Sequence, residues 1–232
     1  MTAAEDRSLL DELRALGVQE VEVAPGLRHL EIYTVEGILT LLWHGAREAE
    51  DVVLLAGGAI GGTMGPGRAL YHELGGLLAD RGIGAIRIDY RRAGRLPGCV
   101  LDAAATADLA VRAGARRFVS VGHSFGGAVA VQVAAALPGF VRGVVGLATQ
   151  SAGCEPAAAL GDRPLLLVHG ARDEVLDPVS SAQVRAIAGH GDLWILPDEG
   201  HGLVGAHAAV RDHLLAWIPA VLAGEPPPPV PA

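Results

Sequence analysis

A serine stands in the middle of a glycine-rich motif, GHSFGG at residues 122–127. The apolar run 118–121 before it predicts a strand and the alanine-rich stretch 128–137 after it predicts a helix, so Ser124 is expected at the apex of a sharp turn. Such a turn pushes its apex residue toward positive φ and leaves room only for glycine at positions 122 and 126. A hydroxyl presented in this way can act as a nucleophile, although the motif alone is equally typical of an ordinary turn.

A serine nucleophile needs a neutral imidazole to take its proton and a carboxylate to orient that imidazole. In an open parallel sheet such groups gather just past the carboxyl ends of strands. The apolar run 165–168 leads into HGARD at 169–173, which puts the carboxylate of Asp173 in the following loop. Asp177 lies four residues further on in the same loop and is the alternative acid.

The candidate base is His201, which lies between two glycines in the segment DEGHG at 198–202. This segment follows the apolar run 193–197, and its glycines leave the loop free to fold toward Ser124. Other histidines are better interpreted as packed or solvated side chains: His29, His44, His123, His169, His207 and His213. Ser124, His201 and Asp173 are therefore the candidate nucleophile, base and acid.

The elements that would position these residues alternate between strands and helices. After a short helix at 5–16, extended segments at 18–24, 28–34 and 37–43 predict an antiparallel start to a sheet. Further strands are expected at 52–56, 84–89, 117–122, 141–148, 164–169 and 193–197. Helices are expected at 66–81, 99–113, 124–137, 179–189 and 203–222. This alternation predicts an α/β fold with a mostly parallel central sheet of about eight strands and helices on both faces.

The length of 232 residues suits one α/β domain, which we assign to residues 1–224. The remainder, 225–232, is proline-rich and predicts an extended, mobile tail. Cys99 and Cys154 are too few for a disulfide framework and lack the spacing of a zinc site, so they are interpreted as buried or incidental thiols.

Composition excludes several kinds of function. The net charge of −8 argues against nucleic-acid and anionic-membrane partners. No apolar run is long enough to span a membrane and the chain does not start like a signal peptide, so a cytoplasmic location is expected. All 18 basic residues are arginines, which excludes a pyridoxal Schiff base, a phosphate-loop lysine and a serine-lysine dyad. No His-Glu-x-x-His pair occurs, and we expect neither a metal nor a cofactor.

The three motifs together resemble the α/β-hydrolase fold family. They are GHSFG at 122–126, HGARD at 169–173 and GHG at 200–202, in the family's chain order of serine, acid and histidine. The resemblance covers nearly the whole chain and implies hydrolysis through an acyl-serine intermediate. It also favours Asp173 over Asp177, because family members with a His-Gly-x-x-Asp pattern use the aspartate that Asp173 matches.

Backbone amides are expected to stabilise the oxyanion of the tetrahedral intermediate. The first donor should be the amide of Phe125, which follows the nucleophile at the start of its helix. The second should come from the loop AGGAIGG at 56–62, where the family often carries His-Gly-x-Gly. This loop departs from that pattern, so Gly58 is our choice and Ala59 is the alternative.

Only about 15 residues separate strand 141–148 from strand 164–169, where many family members insert a helical cap. We therefore expect no cap domain and an open cleft. Apolar walls for the substrate are expected from Ile60, Met64 and Leu203, with Tyr90 and Leu176 as further candidates, and each is equally typical of ordinary packing. The resemblance further implies that a serine nucleophile excludes dehalogenases, epoxide hydrolases and dienelactone hydrolases proper, which use other nucleophiles.

These observations predict a small carboxylesterase that acts on soluble, small-molecule esters. An acyl thioesterase or a peptidase could use the same residues, and a thioesterase specific for coenzyme A would benefit from the basic rim that Arg91, Arg92 and Arg95 could supply. A non-catalytic protein that binds a ligand or a partner is the alternative of another class.

Overall fold

A computed structural model describes residues 9–231 of the chain. Its strands are β1 (Ala15–Ala24), β2 (Leu27–Thr34), β3 (Gly37–His44), β4 (Asp51–Ala56), β5 (Gly84–Asp89), β6 (Arg117–His123), β7 (Val141–Leu147), β8 (Leu165–Gly170) and β9 (Asp192–Leu196). Its α-helices are α1 (Leu9–Glu12), α2 (Leu70–Ala79), α3 (Leu96–Ala113), α4 (Phe125–Ala136), α5 (Val179–Ala188) and α6 (His207–Ala223).

All nine strands join one sheet in the order β1-β2-β3-β5-β4-β6-β7-β8-β9. Strands β1 to β3 are antiparallel to their neighbours, and β4 to β9 run parallel. The predicted mostly parallel α/β fold is confirmed. The sheet has nine strands rather than about eight, because all three early segments join the strands that follow them. The carboxyl ends of the parallel strands share one edge, and this is the edge that presents the candidate residues.

The sheet is covered on both faces, which explains why its central strands are apolar throughout. Side chains alternate along β4: Val52 and Leu54 belong to one core cluster, whereas Val53 and Leu55 belong to the other. Helices α3, α4 and α5 pack on the first face, and α2 and α6 pack on the second. Helix α4, which follows Ser124, is thereby fixed against the sheet.

Some predicted helix boundaries are wrong. The helix expected at 5–16 ends at Glu12, because Arg14 has a φ of 53° and β1 begins at Ala15, where it pairs with β2. Residues 5–8 of that prediction lie outside the described residues. Helix α6 begins at His207 rather than at residue 203, because Leu203 has a φ of 52° and belongs to the preceding loop.

The segment between β7 and β8 is short, and within the described chain it contains a single turn of 3-10 helix, Glu155–Ala159, and no cap domain. The expected absence of a lid at this point therefore holds. Residues 225–231 have no regular secondary structure, and Val230 packs against the second core cluster. The mobility of the tail stays a prediction. In the described part of the chain, no helix combines the length and the apolar character needed to cross a membrane.

Candidate active site

Ser124 occupies the turn between β6 and α4 with a φ of 57° and a ψ of −122°. The neighbouring glycines allow this turn to close. A Cβ on Gly122 would lie 1.9 Å from the carbonyl oxygen of Gly126, and a Cβ on Gly126 would lie 2.4 Å from the carbonyl oxygen of Ala56. Neither position can therefore accept a side chain without moving the backbone, and the strained serine is held by its surroundings.

Ser124, His201 and Asp173 form a hydrogen-bonded chain. The distance from Ser124 Oγ to His201 Nε2 is 3.0 Å, and the distance from His201 Nδ1 to Asp173 Oδ2 is 2.7 Å. A carboxylate only accepts hydrogen bonds, so Nδ1 carries the proton of the neutral imidazole. Nε2 is then the acceptor for the serine hydroxyl, which is the arrangement that a general base requires.

Three hydrogen-bond donors and a fourth ring nitrogen surround the carboxylate of Asp173, whose side chain has no exposed surface. Oδ1 accepts hydrogen bonds from the amides of Val175 and Leu176, each at 2.8 Å. Oδ2 accepts from His201 and lies 3.1 Å from Nε2 of His169. Burial opposes ionisation of Asp173, but the hydrogen bonds from Leu176, His201 and Val175 outweigh it and lower its pKa below the ordinary value. The acid is therefore held as a carboxylate.

Asp177, the alternative acid, has a different local role. Its Oδ1 accepts a hydrogen bond from the amide of Val179 at 2.8 Å, in the first turn of α5. Of the two aspartates, Asp173 is the one bonded to His201.

The residue before the nucleophile also contributes to the site, although sequence reasoning assigned it only packing. His123 lines the cleft, and its Nε2 lies 3.1 Å from the carbonyl oxygen of His201. Because a carbonyl accepts, Nε2 carries the proton and donates it. Burial is the main cause that lowers the pKa of His123 to about 4, so the ring is neutral at neutral pH. The only indication of this contribution in the sequence is the position of His123 directly before Ser124.

The other histidines have partners elsewhere: His29 with Glu31, His44 with Arg87, His207 with Glu73, and His213 with Trp194. His169 is fully buried at the end of β8 and contacts the acid directly.

The loop between β4 and α2 borders Ser124. The amide of Gly61 donates to the carbonyl oxygen of Gly58 at 3.0 Å, and a Cβ on Gly58 would lie 3.8 Å from Cβ of Ser124. Neighbouring strand β5 anchors this loop, because the amide of Gly62 donates to Asp89 at 3.0 Å. Phe125 is the first residue of α4, so its amide follows the serine at a helix N-terminus. The choice between Gly58 and Ala59 as second donor stays a prediction.

The candidate residues open onto a cleft of about 430 Å³. Its lining residues are Gly57, Gly58, Ala59, Ile60, Gly61, Gly62, Met64, Gly65, His123, Ser124, Val175 and His201. The side chain of Ile60 is almost fully exposed and that of Met64 is half exposed, so both present apolar surface at the cleft.

Leu203 does not line this cleft, contrary to our prediction. It is 2% exposed and packs in the core cluster beside α6. Tyr90 is also buried, with its hydroxyl donating to the carbonyl oxygen of Gly57 at 3.3 Å. Val175 takes the expected place of its neighbour Leu176, because the loop that supplies amides to Asp173 turns the valine outward.

Among residues 9–231, no group of three or more His, Cys, Asp and Glu side chains is arranged to hold a metal ion. Cys99 and Cys154 are buried and free.

Comparison with known proteins finds no matching family model and no matching curated protein. Solved structures do match. Dienelactone hydrolase from Anabaena variabilis superposes with a TM-score of 0.71 at 19% identity, covering 88% of this chain and 99% of that one. The thioesterase domain from the curacin biosynthetic pathway has a TM-score of 0.63 at 14% identity, covering 82% and 99%. Mouse α/β hydrolase domain-containing protein 10 has a TM-score of 0.60 at 16% identity, covering 80% and 96%. Motif order, sheet topology and these likenesses agree that the chain has the α/β-hydrolase fold.

Proposed function

We propose that this protein is a serine hydrolase that cleaves small carboxylic esters through an acyl-serine intermediate. The observation that carries the proposal is the hydrogen-bonded chain from Ser124 through His201 to Asp173, which begins in an open cleft. Serine, imidazole and carboxylate in this arrangement are the parts that acyl transfer requires.

In the proposed acylation, His201 Nε2 takes the proton of Ser124 as Oγ attacks the carbonyl carbon of the ester. Asp173 stabilises the imidazolium that forms, because its carboxylate accepts the Nδ1 proton at 2.7 Å. When the tetrahedral intermediate collapses, the ester C–O bond breaks and His201 returns the proton to the leaving alcohol. An acyl group then remains on Ser124.

Deacylation repeats these steps with water as the nucleophile. His201 takes a proton from the water as it attacks the acyl carbon, and returns that proton to Ser124 Oγ as the acid leaves. In both halves the carbonyl oxygen becomes negative and needs donors. We assign this role to the amides of Phe125 and Gly58. The position of Phe125 at the start of α4 supports the assignment, since a helix N-terminus favours negative charge.

The cleft supports an uncharged, small substrate. Apart from the imidazoles of His123 and His201, the described residues that line it contribute no ionisable side chain. Ile60, Met64 and Val175 offer apolar surface for an acyl chain or an alcohol group, and no cap restricts the approach. A short-chain ester therefore fits better than a charged or very large substrate.

A fluorophosphonate probe, which reacts with activated serines, tests this proposal. We expect covalent labelling of the wild type, no labelling of Ser124→Ala, and hydrolysis of short p-nitrophenyl esters by the wild type alone. Circular dichroism and thermal melting would establish that Ser124→Ala is folded. If the folded wild type neither reacts with the probe nor hydrolyses any ester, thioester or amide in an acyl-chain screen, the protein is not a serine hydrolase, and the non-catalytic alternative replaces it.

A thioesterase is the second candidate, and one observation favours it. Arg91, Arg92 and Arg95 line a separate cavity of about 240 Å³. Arg91 is paired with the buried Asp102 at 2.5 Å, whereas Arg95 forms no ion pair with a described residue. The loop that carries these arginines packs against the loop 57–62, since a Cβ on Gly94 would lie 3.2 Å from the carbonyl oxygen of Ala59. The phosphates of a coenzyme A thioester could reach such a rim from the cleft.

A further inference from the structure

His169 is a second histidine that lies against the carboxylate of the candidate acid. It is the fifth residue of β8, and its side chain has no exposed surface. Its Nε2 lies 3.1 Å from Asp173 Oδ2 and 3.0 Å from the carbonyl oxygen of Leu176. Its Nδ1 lies 2.7 Å from Oγ of Ser181, which is fully buried in α5. Both ring nitrogens therefore have polar partners in the core.

These partners determine which nitrogen carries the proton. Two oxygens that only accept, from the Asp173 carboxylate and the Leu176 carbonyl, face Nε2, so Nε2 carries the hydrogen and donates. Nδ1 is then an acceptor, and the hydroxyl of Ser181 is the donor that faces it at 2.7 Å. With the opposite tautomer, Nε2 would be an unprotonated nitrogen pressed against two oxygens, and Ser181 would meet an N–H.

We infer that His169 is a positioning residue for the acid of the proposed hydrolase, and that Ser181 fixes the tautomer in which His169 performs this role. The inference rests on the proposed function. The Nε2–H of His169 donates to the carbonyl oxygen of Leu176, whose amide donates to Oδ1 of Asp173, and the same Nε2 lies 3.1 Å from Oδ2. His169 therefore holds the segment that orients the carboxylate toward His201. Because Asp173 and His169 are both fully buried, water has no access to replace a missing donor.

Two roles of His169, packing and hydrogen-bond donation from Nε2, predict different effects of substitution. If packing alone mattered, an apolar side chain of similar size would serve. If donation matters, an amide that places an N–H near the position of Nε2 would serve better. His169→Leu and His169→Gln are therefore a matched pair, since the glutamine amide nitrogen can occupy roughly the position of Nε2.

Steady-state kinetics with a short p-nitrophenyl ester provides the first readout. We expect His169→Leu to lower kcat about 10-fold to 100-fold with little change in KM, because substrate does not touch residue 169. His169→Gln should recover most of that loss. Ser181→Ala should lower kcat by a smaller factor, and should add little to His169→Leu, because both act through one hydrogen-bonded chain. Ser180→Ala, one residue away on α5, is the control and should match the wild type.

Proton NMR provides a readout that does not depend on substrate. The Nδ1 proton of His201 is expected far downfield because it is bonded to a buried carboxylate, and its assignment can be checked by its loss in His201→Gln. We expect this signal to shift or broaden in His169→Leu and to be retained in His169→Gln and Ser180→Ala. If the wild type hydrolyses no substrate, the proposed function fails while the NMR comparison still tests the positioning role.

Wild-type kcat and an unchanged downfield proton in a folded His169→Leu would overturn the inference. If that variant does not fold, Ser181→Ala keeps the test decisive, because it removes a single hydroxyl. Wild-type kcat together with an unchanged downfield signal in Ser181→Ala would then contradict the role assigned to the pair.

Discussion

The Nε2–H of His123 donates to the carbonyl oxygen of His201 at 3.1 Å, and the two ring centroids lie 4.9 Å apart. The residue that precedes the candidate nucleophile thus holds the backbone of the candidate base. The turn after β6 and the loop after β9 are far apart in sequence, and this hydrogen bond joins them beside the 3.0 Å contact between Ser124 and His201.

The burial of His123 predicts a specific pH dependence of stability. Burial lowers the pKa of His123 from the ordinary 6.5 to about 4, so between these values the unfolded chain binds a proton that the folded chain does not. The free energy of unfolding should therefore fall as pH falls from about 7 to 4, with a contribution from His123 of about 3 kcal/mol. His123→Gln keeps an N–H donor but does not titrate, so it should show a shallower fall.

Urea unfolding of the wild type and His123→Gln at pH 7, 5.5 and 4.5 measures this difference. Some pH dependence will remain in the variant, because burial also lowers the pKa of His44 to about 4. Identical pH dependence in the two proteins would show that His123 is not the neutral, buried donor described above.

The two aspartates after β8 should differ sharply in their effects. Asp173→Asn removes the acceptor that holds the Nδ1 proton of His201, and we expect kcat to fall about 10³-fold to 10⁴-fold. Asp177→Ala removes an acceptor from the first turn of α5, which should lower stability by about 1 kcal/mol and leave kcat near the wild-type value. Ester hydrolysis and thermal melting of both variants provide the comparison, and a larger kinetic loss in Asp177→Ala would reverse the assignment.

Much of the fold could be predicted from the sequence, and so could the proximity of the three candidate residues, because their signals are local. Ser124, Asp173 and His201 each lie in the turn or loop that follows a short apolar strand, and parallel strands bring their carboxyl ends to one edge. The parallel order of the strands therefore brings residues that are distant in sequence close together in space.

The errors concern residues whose environment depends on tertiary packing. Leu203 follows His201 closely in sequence, but a φ of 52° turns it into the core beside α6. The amide of Val175 is committed to Asp173, and this loop geometry leaves its side chain at the cleft. His123 contacts His201, which is 78 positions away in sequence, and His169 contacts Asp173, which is 4 positions away. The periodicity of apolar residues does not specify the direction in which such polar side chains point.

The close backbone contacts in the turn around Ser124 predict how a substitution of Gly126 affects stability. A Cβ on Gly126 would lie 2.4 Å from the carbonyl oxygens of both Ala56 and Gly57, and backbone atoms cannot move aside cheaply. Gly126→Ala should therefore lose about 3 kcal/mol of stability or more, or fail to fold. Gly139→Ala is the matched control, because a Cβ there meets nothing within 4 Å. Its stability should stay within about 1 kcal/mol of the wild type. Chemical denaturation compares them, and equal stabilities would contradict the crowded turn.

The arginines beside the cleft distinguish the two candidate functions. If the substrate is a coenzyme A thioester, Arg92→Ala and Arg95→Ala should each raise KM for the thioester about 5-fold to 10-fold, because each removes a charge that can pair with phosphate. KM for the same acyl group on N-acetylcysteamine, which has no phosphate, should not change. Arg116→Ala removes an equal charge just before β6, at the opposite edge of the sheet, and should leave both constants unchanged.

Ionic strength adds an independent check on the same variants. Attraction between exposed arginines and phosphates weakens as salt screens it, so the wild-type KM for the coenzyme A thioester should rise with salt, and the rise should be smaller in Arg92→Ala and Arg95→Ala. If Arg92→Ala and Arg95→Ala changed KM equally for the coenzyme A and N-acetylcysteamine thioesters, the arginines would act through the shape of the neighbouring loop 57–62. No change with either would leave the carboxylesterase as the better candidate, because the cavity lined by these arginines would then have no part in substrate binding.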